Sequence, residues 1–190
     1  MRPFLMLTFA AVLAGMTSYG LAGDLTSGLA PGEEVDAFDV EKCAGAVNDG
    51  KEIGANFCYR CALGNKPVVV VFARKADASL AKLVRKLEES IAAHKEQELS
   101  SFVNLLGPNA EELKATAKKF GANNKVEYVA LVVPQDNENG PPEYKINPEA
   151  EVTVMLYRQG KVEANHSFAA GKLDEQGIAS IIKDTSKILN

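Results

Sequence analysis

The chain has 190 residues, 46% hydrophobic and 24% charged, with 21 basic against 25 acidic side chains and a formal net charge of −4. This is the composition of a packed domain and excludes a disordered one. The acidic balance offers no electrostatic footprint for nucleic acid or an anionic membrane.

In chain order, Arg2 precedes an apolar stretch from Phe4 to Met16, and small or polar residues follow through Tyr19, Gly20, Leu21 and Ala22. That is the three-part layout of a secretory signal. Small side chains at Gly20 and Ala22 suit the third and first positions before a peptidase cut, so residues 1–22 read as a signal peptide cleaved after Ala22. An uncleaved anchor is the competing reading, since a helix through Leu21 approaches the roughly 20 apolar residues that span a bilayer. Gly15, Thr17, Ser18 and Gly20 count against it. Cleavage removes Arg2 and leaves 20 basic against 25 acidic residues. The expected location is secreted or periplasmic, with no membrane contact after cleavage. Residues 23–32, small, polar and broken by Pro31, read as a flexible leader, and 33–190 as one domain of ordinary length.

Val35 to Val40 suggests a short entry strand. Glycines, Asn48 and Asp49 between Ala44 and Gly54 suggest a hairpin link. Pro67 opens Val68-Val69-Val70-Val71-Phe72, a β-branched run expected of a central strand buried on both faces. Asp77 or Ser79 is placed to cap a helix in which Leu80, Leu83, Val84, Leu87 and Ile91 recur at helical spacing. A strand over Leu99–Leu106 follows, then a helix over Ala110–Phe120 opened by Asn109, with Gly121 as its exit. Val126–Val133 is strand-like again. This alternation favours parallel strands joined by crossover helices. The proline-rich stretch Pro134–Pro148 has room for a functional loop or a short helix. Val152–Tyr157 and Val162–Phe168, joined through Gln159-Gly160-Lys161, read as an antiparallel hairpin, and Leu173-Asp174 opens a last amphipathic helix.

This order resembles the thioredoxin fold. Two segments carry the likeness: Gly32-Glu33-Glu34-Val35-Asp36-Ala37-Phe38-Asp39-Val40 is similar to the entry of the peroxiredoxin and TlpA-like branch, with Asp36 where that branch usually has proline. Glu151-Val152-Thr153-Val154-Met155-Leu156-Tyr157, followed by Gly160-Lys161-Val162, is similar to the later strand and turn of thioredoxins. The resemblance implies a thioredoxin-like α/β three-layer sandwich with a mixed central sheet, a C-terminal β-hairpin and final helix, and an N-terminal hairpin extension. It also implies protein thiols or disulfides as partners. The chemistry of the family usually follows the central strand, and there this chain departs from the pattern. Counting from Phe72, the two cysteine positions hold Asp77 and Leu80, the buried acid is replaced by Val71, and Val152 stands in the place of the cis-proline before Thr153. The Arg74–Ser79 region holds no cysteine for peroxiredoxin chemistry either.

A Cys-x-x-Cys does occur, at Cys58-Tyr59-Arg60-Cys61, upstream of the central strand and without an expected helix terminus to activate it. Its spacing allows a disulfide, and an exported protein matures where thiols oxidise. Two readings stand: a redox pair whose thiolate Arg60 favours, or a structural staple in a non-catalytic binding or scaffold module. Cys43 is the odd thiol, expected near the pair, and three fates stay open for it: free, paired with another chain, or exchanging with the Cys58–Cys61 bridge as a resolving thiol. A zinc site of Cys43, Cys58 and Cys61 with His94 or His166 is disfavoured by spacing, and Ala62 after the second cysteine closes haem attachment. No metal or cofactor is expected. His94 reads as a solvated or dipole-favoured imidazole at a helix end, His166 alternates within a hairpin strand, Asn165-His166-Ser167 matches a glycosylation acceptor, and Glu111, Glu112, Glu149 and Glu151 read as solvated surface. Oligomeric state leaves no mark in the sequence.

Overall fold

A computed structural model describes residues 25–189; the residues read as a signal peptide lie outside this range. Seven strands form one open mixed sheet. In chain order the elements are β1 (Val40–Gly45), β2 (Asn56–Phe57), α1 (Tyr59–Leu63), β3 (Val68–Ala73), α2 (Ala78–Ala93), β4 (Ser100–Leu105), α3 (Ala110–Asn124), β5 (Ala130–Pro134), a 3-10 turn (Pro142–Tyr144), β6 (Ala150–Arg158), β7 (Lys161–Ala169), α4 (Glu175–Asp184) and α5 (Ser186–Leu189). Across the sheet the strands run β2-β1-β5-β4-β3-β6-β7. β3, β4 and β5 are parallel, whereas β6 pairs antiparallel with β3, and β1 antiparallel with β5.

β3 is central and wholly buried, as its unbroken β-branched run requires. Its side chains alternate between two cores. Val69, Val71 and Ala73 face a layer built from α2, α3, α4 and α5. Val68, Val70 and Phe72 face a second layer assembled from Leu29, Val35, Tyr59, Tyr144 and Ile146. The second layer is mostly irregular chain. It is sealed by aromatic packing, with Phe38 edge-on to Tyr144 at 4.9 Å and the Tyr144 hydroxyl donating to the Asp36 carbonyl at 2.7 Å.

Several expectations change. The entry strand begins at Val40, where Val35–Val40 was expected, because Glu34 makes only an isolated bridge to Lys161. Gly121 lies inside α3, where a Cβ would come within 2.8 Å of the Ala44 side chain. It is a close-packing residue, and the helix ends on Lys125 in the left-handed region instead. The leader also differs from its composition. Ser27 and Leu29 are buried, the Ser27 hydroxyl is 2.6 Å from Thr153 Oγ1, and Asn165 Nδ2 donates to the Ser27 and Leu29 carbonyls at 2.8 Å each. Residues 27–29 are therefore part of the fold. The Asn165 amide that a glycan would need is engaged in holding them.

Candidate thiol-disulfide site

Cys58 and Cys61 are bonded to each other, with Cα atoms 5.3 Å apart. The local structure corrects the sequence reading: the pair does meet a helix terminus. Cys58 is extended and caps α1, and the Cys61 backbone N–H donates to Cys58 Sγ at 3.0 Å. Gly64, with φ of 58°, ends the helix after little more than one turn. Cys58 is partly buried, while Cys61 and Ala62 are exposed. The two residues thus differ in environment: Cys58 is partly buried with its sulfur hydrogen-bonded, and Cys61 is exposed.

The residues between the cysteines fasten α1 to the domain. Tyr59 is buried and stacks on Phe102, with ring centroids 5.1 Å apart and planes inclined by 15°. Its hydroxyl donates to Asp49. Burial, then acceptance by this carboxylate, pushes the Tyr59 pKa above its ordinary value. Asp49 in turn accepts a hydrogen bond from Lys42 Nζ at 2.6 Å. Lys42 is a buried cation whose other two donors reach the Ala46 and Lys51 carbonyls at 2.9 and 2.8 Å, so its desolvation is compensated on all three N–H groups. Arg60, expected to favour a thiolate, instead donates to the Val35 carbonyl at 3.3 Å and the Gly64 carbonyl at 3.4 Å. It packs against Gly160, where a Cβ would lie 2.5 Å from the guanidinium.

Cys43 does not join the pair. It is the extra residue of a bulge between the Lys42–Val132 and Ala44–Leu131 pairings. Its side chain, 1% exposed, lies in the helical-side core, where α3 packs on β1, across the sheet from Tyr59. Burial, then the Glu41 carboxylate, pushes its thiol pKa up to about 11. The histidines lie elsewhere: His94 Nδ1 is 2.8 Å from the Ser90 carbonyl, and His166 Nε2 is 3.0 Å from Asp184. Among the described residues no group of three or more His, Cys, Asp or Glu side chains is arranged to hold a metal.

The place where the family's chemistry would stand is filled by structural residues. Asp77 caps α2, its carboxylate accepting from the Leu80 N–H at 3.0 Å, and Leu80 is a core residue. Val71 packs in the helical-side core. Glu151, read as surface, is buried. It accepts from the Gly171 N–H at 3.0 Å and pairs with Lys75 at 2.6 Å, contacts that hold its pKa below the ordinary carboxylate range. Since α1 precedes β3 and α2 follows it, the bonded cysteines and this vacated place lie at opposite ends of a six-residue strand, a separation of about 20 Å.

No family model matches the chain, and no curated protein matches it. Among solved structures it is similar to a candidate protein disulfide isomerase from Bacteroides thetaiotaomicron, at 16% identity and TM-score 0.62 over 87% of this chain and 94% of that one. The thioredoxin domain of a thiol-disulfide oxidoreductase from Bacteroides vulgatus is 17% identical, with TM-score 0.60 over 85% and 99% of the two chains. AhpC of Mycobacterium tuberculosis is 10% identical, with TM-score 0.59 over 83% and 93%. With these neighbours and the strand order described above, the fold of this chain is thioredoxin-like, and it carries a bonded Cys-x-x-Cys before its central strand.

Proposed function

We propose that the protein is an exported thiol-disulfide exchange protein working through Cys58 and Cys61. The observation that carries this reading is the asymmetry of the bridge, with an exposed Cys61 and a sheltered Cys58 whose sulfur accepts the Cys61 N–H. Exchange is fastest when the attacked sulfur is accessible and the leaving thiolate is stabilised. A partner thiolate therefore attacks Cys61 Sγ, forming a mixed disulfide while the Cys58–Cys61 bond breaks and Cys58 leaves as thiolate. A second partner thiolate then attacks the partner's sulfur in that mixed disulfide and expels Cys61. The partner dithiol becomes a disulfide, and the pair, having accepted two electrons, becomes two thiols once protonated. In reverse, the reduced pair reduces a partner disulfide through the same intermediate.

Magnitude favours exchange over a staple. The bridged residues are three apart, and closing so short a loop restrains the unfolded chain by only about 2 kcal/mol. Tyr59 and Arg60 already anchor α1 without it. Export rests on the layout of residues 1–22. No helix among the described residues is long and apolar enough to cross a membrane.

Trapping tests the assignment of roles. A Cys58→Ser protein incubated with a disulfide-bonded peptide should accumulate a mixed disulfide on Cys61, visible by intact mass, at least tenfold more than a Cys61→Ser protein does. Equal trapping, or the reverse order, would remove Cys61 as the attacked sulfur. Full exchange activity in the double serine variant would remove the pair altogether.

A further inference from the structure

Residues flanking the bonded cysteines, Phe57, Tyr59 and Ala62, line a groove of about 670 Å³ at the end of the sheet where β3, β4 and β5 begin. Phe57, Leu63 and Tyr128 supply apolar wall, and α1 itself contributes Ala62, the residue after exposed Cys61. The loop between β1 and β2 forms another wall through Ala46, Asp49 and Lys51. This same loop holds the exposed large hydrophobic residues of the described chain, Val47 at 66% and Ile53 at 54%. Two large apolar side chains held in water on the loop that walls this groove fit a contact surface. β2, which runs directly into Cys58, is the first strand of the sheet, and its outer edge has no strand partner among the described residues. Such an edge offers backbone donors and acceptors to an extended peptide.

The charge lining the groove identifies the class of partner. Lys51, Lys66 and Lys95 are matched by Asp49, Glu98 and Glu127. Lys66 is paired with Glu98 at 2.8 Å, and Lys51 and Lys95 lie 5.2 Å from the ring centroids of Phe57 and Tyr128. A small anionic thiol such as glutathione would be recognised by surplus cations, and there is no such surplus here. Balanced charge, apolar walls and an open strand edge fit an extended polypeptide. The protein's own N-terminal segment is held at the other end of the sheet, where Ser27 meets Thr153 and Asn147.

Resting on the exchange reading above, we propose that the β1–β2 loop, with Val47 and Ile53, and the outer edge of β2 form the docking surface for a partner polypeptide whose cysteine pair is oxidised or reduced at Cys58–Cys61. The test sets two probes against the oxidised protein, a twelve-residue uncharged peptide carrying two cysteines between apolar residues and dithiothreitol, which needs no docking, and runs glutathione beside them as the anionic comparison. In the doubly substituted Val47→Asp, Ile53→Asp protein, the second-order rate constant for stoichiometric peptide oxidation should fall at least tenfold, while that for dithiothreitol stays within twofold. Both positions are exposed, so folding should survive, and an unchanged circular dichroism melt checks it. An unchanged peptide rate in that variant would overturn the docking surface while leaving exchange intact. Faster reaction of wild type with glutathione than with the peptide would also overturn it. Failure of wild type to oxidise either probe would overturn the exchange reading, and the docking surface with it.

Discussion

Cys43 shows how far an environment can change a residue whose type suggests chemistry. Between Lys42 and Ala44 a bulge turns it into the helical-side core, where desolvation and Glu41 raise its thiol pKa to about 11. An unfolded thiol titrates near its ordinary value, so the native state holds this proton more tightly. The associated stability is fully present below the unfolded pKa and is lost as pH rises through about 11. After selective blocking of the reduced Cys58 and Cys61, Cys43 should resist iodoacetamide at pH 8 in native protein and react at once in denaturant. Rapid native labelling would show that the thiol is accessible. The presence of three cysteines was legible in the sequence. Which of them face each other was not, because a one-residue bulge decides the side of the sheet.

At the scale of elements, α1 was missed. A five-residue helix between a strand and a glycine leaves almost no periodic signal, and its position depends on Tyr59 stacking on Phe102 from a distant strand. The longer elements were readable, α2 above all, because a repeating apolar face and a capping Asp77 are local properties. A less legible link joins α2 to the segment that enters β5. The Glu88 carboxylate accepts three consecutive backbone N–H groups, from Glu127 at 3.1 Å, Tyr128 at 2.8 Å and Val129 at 2.6 Å. Glu88→Ala should destabilise the protein by about 2 kcal/mol in urea unfolding, since it strands donors that had a charged acceptor. Glu88→Gln should recover part of that by keeping an oxygen there. A loss below about 0.5 kcal/mol for the alanine variant would mean that water replaces the carboxylate freely.

At the scale of the whole molecule, the second core layer depends on chain that looks like linker. Leu29 and Val35 bury against β6 and β7 residues and Tyr144, while Ser27 and Asn165 close hydrogen bonds over more than a hundred residues of sequence. If export proceeds as proposed, the processed protein begins at Gly23, as intact mass would show, and retains this segment. A chain shortened to begin at Glu33 should lose about 3 kcal/mol, the burial of one leucine plus its neighbouring hydrogen bonds. Denaturation of the two forms side by side checks this; equal midpoints would show that residues 25–32 contribute nothing to the fold.

The sequence by itself determined the thioredoxin-like order of strands and helices, the buried central strand and the absence of cysteines after it, because each follows from local periodicity or from residue identity at counted positions. Only the tertiary structure decided what the displaced pair became. Phe102, Asp49, Val35 and Gly160 come together from separate segments to clamp Tyr59 and Arg60, which leaves Cys58 sheltered and Cys61 open. Long-range packing of this kind has no period along the chain, so it is decided where the strands meet.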